Sequence, residues 1–315
     1  MGKTVIEEIR KFKGVRIPKT LSIKEYADEV RLILDSTRVQ KENMQLPGNA
    51  FEGWAFAVYS CVENKKIALY LDSRLDFTEY EREGHLCRFL YRIIKFNEQY
   101  EWFRLSDDLA DEADKFKKYL LSGKFTNNIG SGEAGRKEAH DEENAAEEWL
   151  SCKKELKRIL SDVLDIGDNP VNRQLPVGLF KDSVSEKNRI FTGGKSAIDL
   201  WTWHGNELDV VELKTKNKMI GIITEIFFYA NYMYDLVADD GLFTINMDIT
   251  GKKDFLRGYE CLLSNSFNRV NGIMLADKGQ YHPWVNEDIL IIMNKNGIVR
   301  IRYYMGEYPY SDIPK

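Results

Sequence analysis

Two acids and a lysine, Asp199, Glu212 and Lys214, stand out because of their apolar surroundings. Ile198 and Leu200 flank Asp199, and Glu212 and Lys214 alternate with Val211 and Leu213. In a strand, alternate side chains share a face. Glu212 and Lys214 then point one way, and Val211 and Leu213 point into the opposite layer. A turn at Gly205-Asn206 can fold the Asp199 strand back and bring Asp199 near Glu212, with the register left open. A hard divalent cation, Mg²⁺ or Mn²⁺, takes oxygen ligands and needs few of them from protein. Asp199 and Glu212 would supply carboxylates and the Leu213 carbonyl a third oxygen. Such an ion lowers the pKa of a bound water and neutralises charge on a phosphoryl group. Lys214 would position that water and stabilise the transition state. Glu-x-Lys alone says little, since it recurs at 63–65 and 155–157. Those copies fall in a predicted turn and on a predicted helix. The plain structural alternative is a solvated strand face on which Glu212 pairs with Lys214 or Lys216, an exposed pair worth little.

The elements around these residues follow from pattern. Residues 197–203 and 208–215 read as apolar strands, with 204–207 as the turn. Residues 219–237 read as a long, very apolar helix, and 270–276 as a strand. Residues 289–293 and 298–304 read as a hairpin around Asn294-Lys295-Asn296-Gly297, a strong turn signal. Upstream, 145–164 reads as one helix with Trp149, Leu150, Leu156, Ile159, Leu160 and Val163 as its apolar positions. The order predicts a mixed sheet flanked by helices.

The first part of the chain reads as α+β. Residues 22–34 suggest a short amphipathic helix with Ser22 as its N-cap. Residues 53–62 and 66–71 suggest a hairpin, and 81–98 and 106–121 two helices. Residues 123–144 hold almost no large apolar side chain after Phe125 and Ile129, and read as a linker or mobile loop. The expected organisation is an α+β domain over 1–122, the linker over 123–144, and the domain bearing Asp199 over 145–315.

Gly193-Gly194-Lys195-Ser196-Ala197-Ile198-Asp199, twelve residues, then Glu212-Leu213-Lys214 and a helix: this run resembles the PD-(D/E)XK nuclease superfamily. The residue before Asp199 is isoleucine where the named motif has proline. The resemblance covers about 130 residues through a handful of positions. It implies a restriction-endonuclease-like core of helix, three-stranded meander, helix and further strand. It also implies that Asp199 and Glu212 bind metal, with Lys214 as catalytic lysine. Glu225 sits in the most apolar stretch of the chain with Tyr229 at i+4, and an unpartnered buried carboxylate is costly. Families of this kind often carry a polar residue on that helix facing the site. They also often place an acid on the preceding helix, where Glu148 stands with Glu147 beside it. A place at the helix edge, or a basic partner, is the alternative for Glu225; a solvated acidic face is the alternative for Glu148. The function implied is metal-dependent hydrolysis of phosphodiester bonds, endo- or exonucleolytic, in DNA in preference to RNA. Defence and repair are both compatible. The alternatives are a catalytically silent nuclease fold used for binding, and a nuclease gated by a ligand.

Lys195, Lys216 and Lys218 lie near the proposed site and could hold a phosphate backbone. Lys153, Lys154, Lys157 and Arg158 suit one charged helix face. Trp201 and Trp203, at alternate strand positions, suit a core better than base stacking. His204 lies at the turn and reads as solvated. Gly194-Lys195-Ser196 has Arg189 where a phosphate-binding loop needs its first glycine. The 315 residues carry 45 basic and 50 acidic side chains, a net charge of −5, which excludes a wholly basic nucleic-acid coat but not a basic cleft. Four scattered cysteines argue against a zinc site or disulfide framework. With no apolar run of about 18 residues and no leader-like start, the expectation is a cytoplasmic protein without a membrane partner. A homodimer or larger complex stays open.

Overall fold

Strands form in this chain from alternating runs and from continuously buried ones, and helices from amphipathic runs and from wholly apolar ones. The computed structural model describes residues 4–62, 64–129, 142–191, 196–216, 218–249 and 258–314. In chain order the first elements are α1 (Val5–Ile9), β1 (Leu21–Glu25), β2 (Glu29–Leu34), α2 (Ser36–Lys41), α3 (Phe51–Tyr59), β3 (Lys66–Leu71), α4 (Gly84–Gln99), β4 (Phe103–Leu105) and α5 (Asp107–Ser122). Then come β5 (Phe125–Asn127), α6 (Glu142–Leu150), α7 (Lys153–Leu160), β6 (Asn172–Pro176), β7 (Leu179–Lys181), β8 (Arg189–Phe191), β9 (Ala197–His204) and β10 (Glu207–Lys214). The last are α8 (Gly221–Val237), α9 (Tyr259–Ser264), β11 (Arg269–Asp277), α10 (Glu287–Asn294) and β12 (Ile301–Tyr308). The protein is α/β, with mixed sheets flanked by helices.

The chain divides into two compact units. The first comprises Met1–Ser122, Met219–Glu225 and Tyr281–Val299. Its sheet has the order β1-β2-β3-β4. The expected helix over 22–34 is instead the antiparallel pair β1–β2. Val30, Leu32 and Leu34 are buried at a period of two, which decides for a strand. The expected strand over 53–62 is α3, in which every residue from Phe51 to Val58 is buried. A helix covered on all sides shows no 3.6-residue period, so its aromatic and β-branched residues mimic a strand. The same correction applies to 289–293, which is α10. Asn286 caps it, its Oδ1 accepting from the Ile289 amide at 3.1 Å. Within this unit Arg92 clamps Glu52 through Nε at 2.7 Å and Nη2 at 2.5 Å. Thr224 Oγ1 adds a bond to the same carboxylate at 2.8 Å.

The second unit comprises Gly123–Lys218, Ile226–Gln280 and Arg300–Lys315. Of the polar stretch 123–144, residues 130–141 lie outside the described residues. Ahead of them β5 is a strand, paired antiparallel with β7. The unit's main sheet has the order β12-β11-β10-β9-β6. β6, β9 and β10 form an antiparallel meander, and β11 and β12 continue it in parallel. The helix expected over 145–164 breaks at Ser151-Cys152 into α6 and α7. Ala146, Leu150, Leu156 and Leu160 cover one sheet face, packing with Leu200, Val211, Leu213, Ile273 and Leu275. Residues of α8 cover the other. Phe227 stacks on Tyr303 at 6.4 Å, and Gly272 lets Ile226 approach the sheet, since a Cβ there would stand 3.0 Å from Ile226 and Tyr303. The small sheet β5-β7-β8 joins α8 through Phe191, which meets Phe228 edge-on at 5.6 Å.

Candidate active site

β9 and β10 are joined by a two-residue turn, His204 pairing with Glu207. Gly205 takes φ +51° there. A positive φ at the first central position matches the turn to the twist of its strands. The ladder runs down to Val211↔Leu200. One step further stands Asp199, level with Glu212. The Leu213 amide donates to Asp199 Oδ2 at 2.8 Å, which ties the two strand ends together. Lys214 Nζ donates to Glu212 Oε1 at 2.5 Å. The pairing named by the plain alternative is therefore present, but the solvation is not. Glu212 is 3% exposed and Lys214 8%. Strand alternation puts both on the face opposite Val211 and Leu213, which belong to the α6–α7 core.

Other acids gather on this lysine. Glu143 Oε1 of α6 lies 3.6 Å from Lys214 Nζ. One turn on, Glu147 is buried. It accepts from Gln174 Nε2 at 2.8 Å and from Arg173 Nη2 at 3.3 Å. Tyr308 donates its hydroxyl to the Lys214 carbonyl at 3.4 Å. Desolvation pushes the Asp199 carboxyl up to about 8; Lys214 and the Leu213 amide oppose the rise, and Glu147 and Glu143 add to it. Burial also raises Glu147, against the pull of Gln174 and Arg173. Desolvation is the main cause of both rises, and a cation placed beside these carboxyls would favour their charged forms. Among the described residues no group of three or more His, Cys, Asp or Glu side chains forms a ready-made metal cage. The donor set at the hairpin end, hard oxygens few in number, suits an ion that keeps most of its shell as water.

The remaining predicted site residues fall in different places. Glu148 is exposed, while Glu147 beside it is buried. Helical spacing explains the difference: with Ala146 and Leu150 facing the core, Glu143 and Glu147 fall on or beside that face and Glu148 turns away. Glu225 is buried on α8, in the segment belonging to the first unit. Tyr229, one turn on, is buried beside Phe228. Lys195 lies outside the described residues. Lys216 and Lys218 are exposed, and Lys216 pairs with Glu142. On α7, Lys157 meets Asp165 and Asp168 at 3.5 and 3.4 Å, and Arg158 meets Glu155 at 3.1 Å, as a charged helix face would. Trp201 and Trp203 are core residues.

The far end of the hairpin holds a cluster that sequence reasoning missed. His204 is not simply solvated: its Nδ1 lies 2.9 Å from Oδ2 of buried Asp209. Asn271 donates to Asp209 Oδ1 at 2.8 Å and to Glu207 Oε2 at 2.9 Å. An acid in the middle of an apolar strand, five residues from a histidine across a two-residue turn, was the available signal.

Comparisons with protein-family models, with curated proteins and with solved structures each return no match to this chain.

Proposed function

We propose that the second unit is a metal-dependent nuclease that hydrolyses phosphodiester bonds in nucleic acid, with DNA favoured over RNA. One observation carries the reading: Asp199 and Glu212 stand level on adjacent strands, with Lys214 buried against Glu212 and the Leu213 amide on Asp199. The order α6–α7, the meander β6-β9-β10 with β7 and β8 inserted after β6, then α8, α9 and parallel β11 supports it, because helix, meander, helix and further strand is the order that the PD-(D/E)XK resemblance implies. A bound Mg²⁺ or Mn²⁺ would supply an activated water and neutralise charge on the scissile phosphate. Asp199 and Glu212 would hold it, with the Leu213 carbonyl as a third oxygen. Lys214 would orient the attacking water and stabilise the charge that develops on the phosphate. Exposed Lys216 and Lys218 would meet the phosphate backbone, and such contacts weaken steeply with salt.

The test is cleavage of linear and circular duplex DNA, single-stranded DNA and RNA with Mg²⁺, Mn²⁺ or EDTA. Wild type should cut only with metal. Asp199→Ala and Lys214→Ala should each lose about 100-fold or more, the scale of a lost transition-state contact. Cutting that survives both substitutions places the chemistry elsewhere. Metal binding without cutting would favour a silent nuclease fold that binds nucleic acid.

A further inference from the structure

β6 is irregular at one residue. Arg173 pairs with Leu200 and Leu175 with Ile198, and between these pairs Gln174 and Asp199 leave the ladder together. Gln174 has φ +55°, the left-handed region that side-chain-bearing residues rarely adopt. In an unbroken strand Arg173 and Gln174 would point to opposite faces. Here both reach the same carboxylate, Gln174 Nε2 on Glu147 Oε1 at 2.8 Å and Arg173 Nη2 on Oε2 at 3.3 Å. That carboxylate is 3% exposed and close enough to Asp199 to act on its charge. Backbone held in a sparse region beside a cluster of acids points to function, because strain without use is lost cheaply by substitution to glycine.

We propose that Gln174 is a positioning residue: its left-handed backbone turns its amide, beside the Arg173 guanidinium, onto Glu147 and so aims that carboxylate into the Asp199–Glu212 site. The inference rests on the proposed metal site and adds the device that arranges its outer carboxylate. Hydrogen bonds of this outer kind orient ligands and typically change metal affinity 10–100-fold. Gln174 supplies direction through a neutral amide, and Arg173 supplies a charge that opposes the rise burial imposes on Glu147.

The test uses the full chain and Mn²⁺ as probe, by calorimetric titration, with melting in EDTA as a second readout. Gln174→Gly keeps the backbone conformation at no steric cost and removes the clamp. It should weaken Mn²⁺ binding about tenfold while melting in EDTA at or above the wild-type temperature. Gln174→Glu, which sets a second carboxylate against Glu147, should weaken binding at least as much. Arg173→Met should do so with a lower melting temperature. Wild-type affinity in Gln174→Gly, with Asp199→Ala abolishing binding, would overturn the clamp and leave the metal site standing. No Mn²⁺ binding by wild type, or full binding by Asp199→Ala, would overturn the site and the clamp with it.

Discussion

Asp199→Asn should make the protein more stable and less able to bind metal. Asparagine keeps the shape and the acceptor for the Leu213 amide at 2.8 Å, and removes only charge. Desolvation first, then Glu147 and Glu143, hold the Asp199 carboxyl at about 8 against an ordinary 3.8. A carboxyl whose folded pKa lies above its unfolded one destabilises the fold on ionising. The cost is absent below about pH 4, grows as pH rises between the two values, and levels off near 8. Each tenfold change in proton affinity is worth about 1.4 kcal/mol, so the ceiling at pH 7 is about 4 kcal/mol. Asp199 is half-buried, and water screens part of the cost, leaving about 1–2 kcal/mol. In EDTA at pH 7 the variant should melt a few degrees above wild type, at about 2–4 °C per kcal/mol, and at pH 4 together with it. Metal at 100 times its Kd stabilises wild type by about 2.7 kcal/mol, enough to reverse the order. Thermal melts at pH 4, 7 and 8, with EDTA or Mg²⁺, read all of this. A gap that is absent at pH 7, or equal at pH 4, would refute the crowding of charge. Equal shifts by Mg²⁺ in both proteins would refute Asp199 as the ligand.

Arg92→Met should cost about 3–5 kcal/mol in denaturant unfolding, because it strands the buried Glu52 carboxylate. Arg92→Met with Glu52→Met should recover most of that loss, and a double variant as unstable as the sum of the singles would count against the pairing. His204 is raised by its hydrogen bond to Asp209, so its stabilisation is present below pH 6.5 and is lost as pH rises through its higher folded value. Urea midpoints at pH 5.5 and 9 should therefore differ more in wild type than in His204→Gln. Gly272→Val should destabilise by about 1–3 kcal/mol, since its Cβ would stand 3.0 Å from Ile226 and Tyr303; an unchanged midpoint would show that α8 has slack against the sheet.

Much of the second unit was legible where pattern and burial agree. β9 and β10 have an apolar run, a Gly-Asn turn and an alternating acid–lysine pair, and each of those signals is local. The levelling of Asp199 with Glu212 follows from a two-residue turn, which leaves little freedom of register. The errors cluster where apolar residues run on without a period. α3 and α10 lose their helical period when all or most sides are apolar, and the strand reading then wins by composition. The pair β1–β2 failed for the opposite reason, its short exposed turn Tyr26-Ala27-Asp28 bridging two short alternating runs into a false helix. Glu147 was nearly legible: counting back from Leu150 separates it from Glu148.

Local chemistry written along the chain, namely which residues alternate, where a turn is affordable and which acids sit among apolar neighbours, set the hairpin and its acid–lysine pair. Contacts between distant segments set everything around it. Glu143 and Glu147 reach Lys214 and Asp199 from α6, across more than fifty residues of chain. Gln174 turns onto Glu147 only because β6 leaves its ladder opposite Asp199. Tyr308 meets the Lys214 carbonyl from the last strand of the sheet. Periodicity reports a residue's neighbours within one element; desolvation and electrostatic coupling depend on every element packed around it, and those are fixed only when the chain closes.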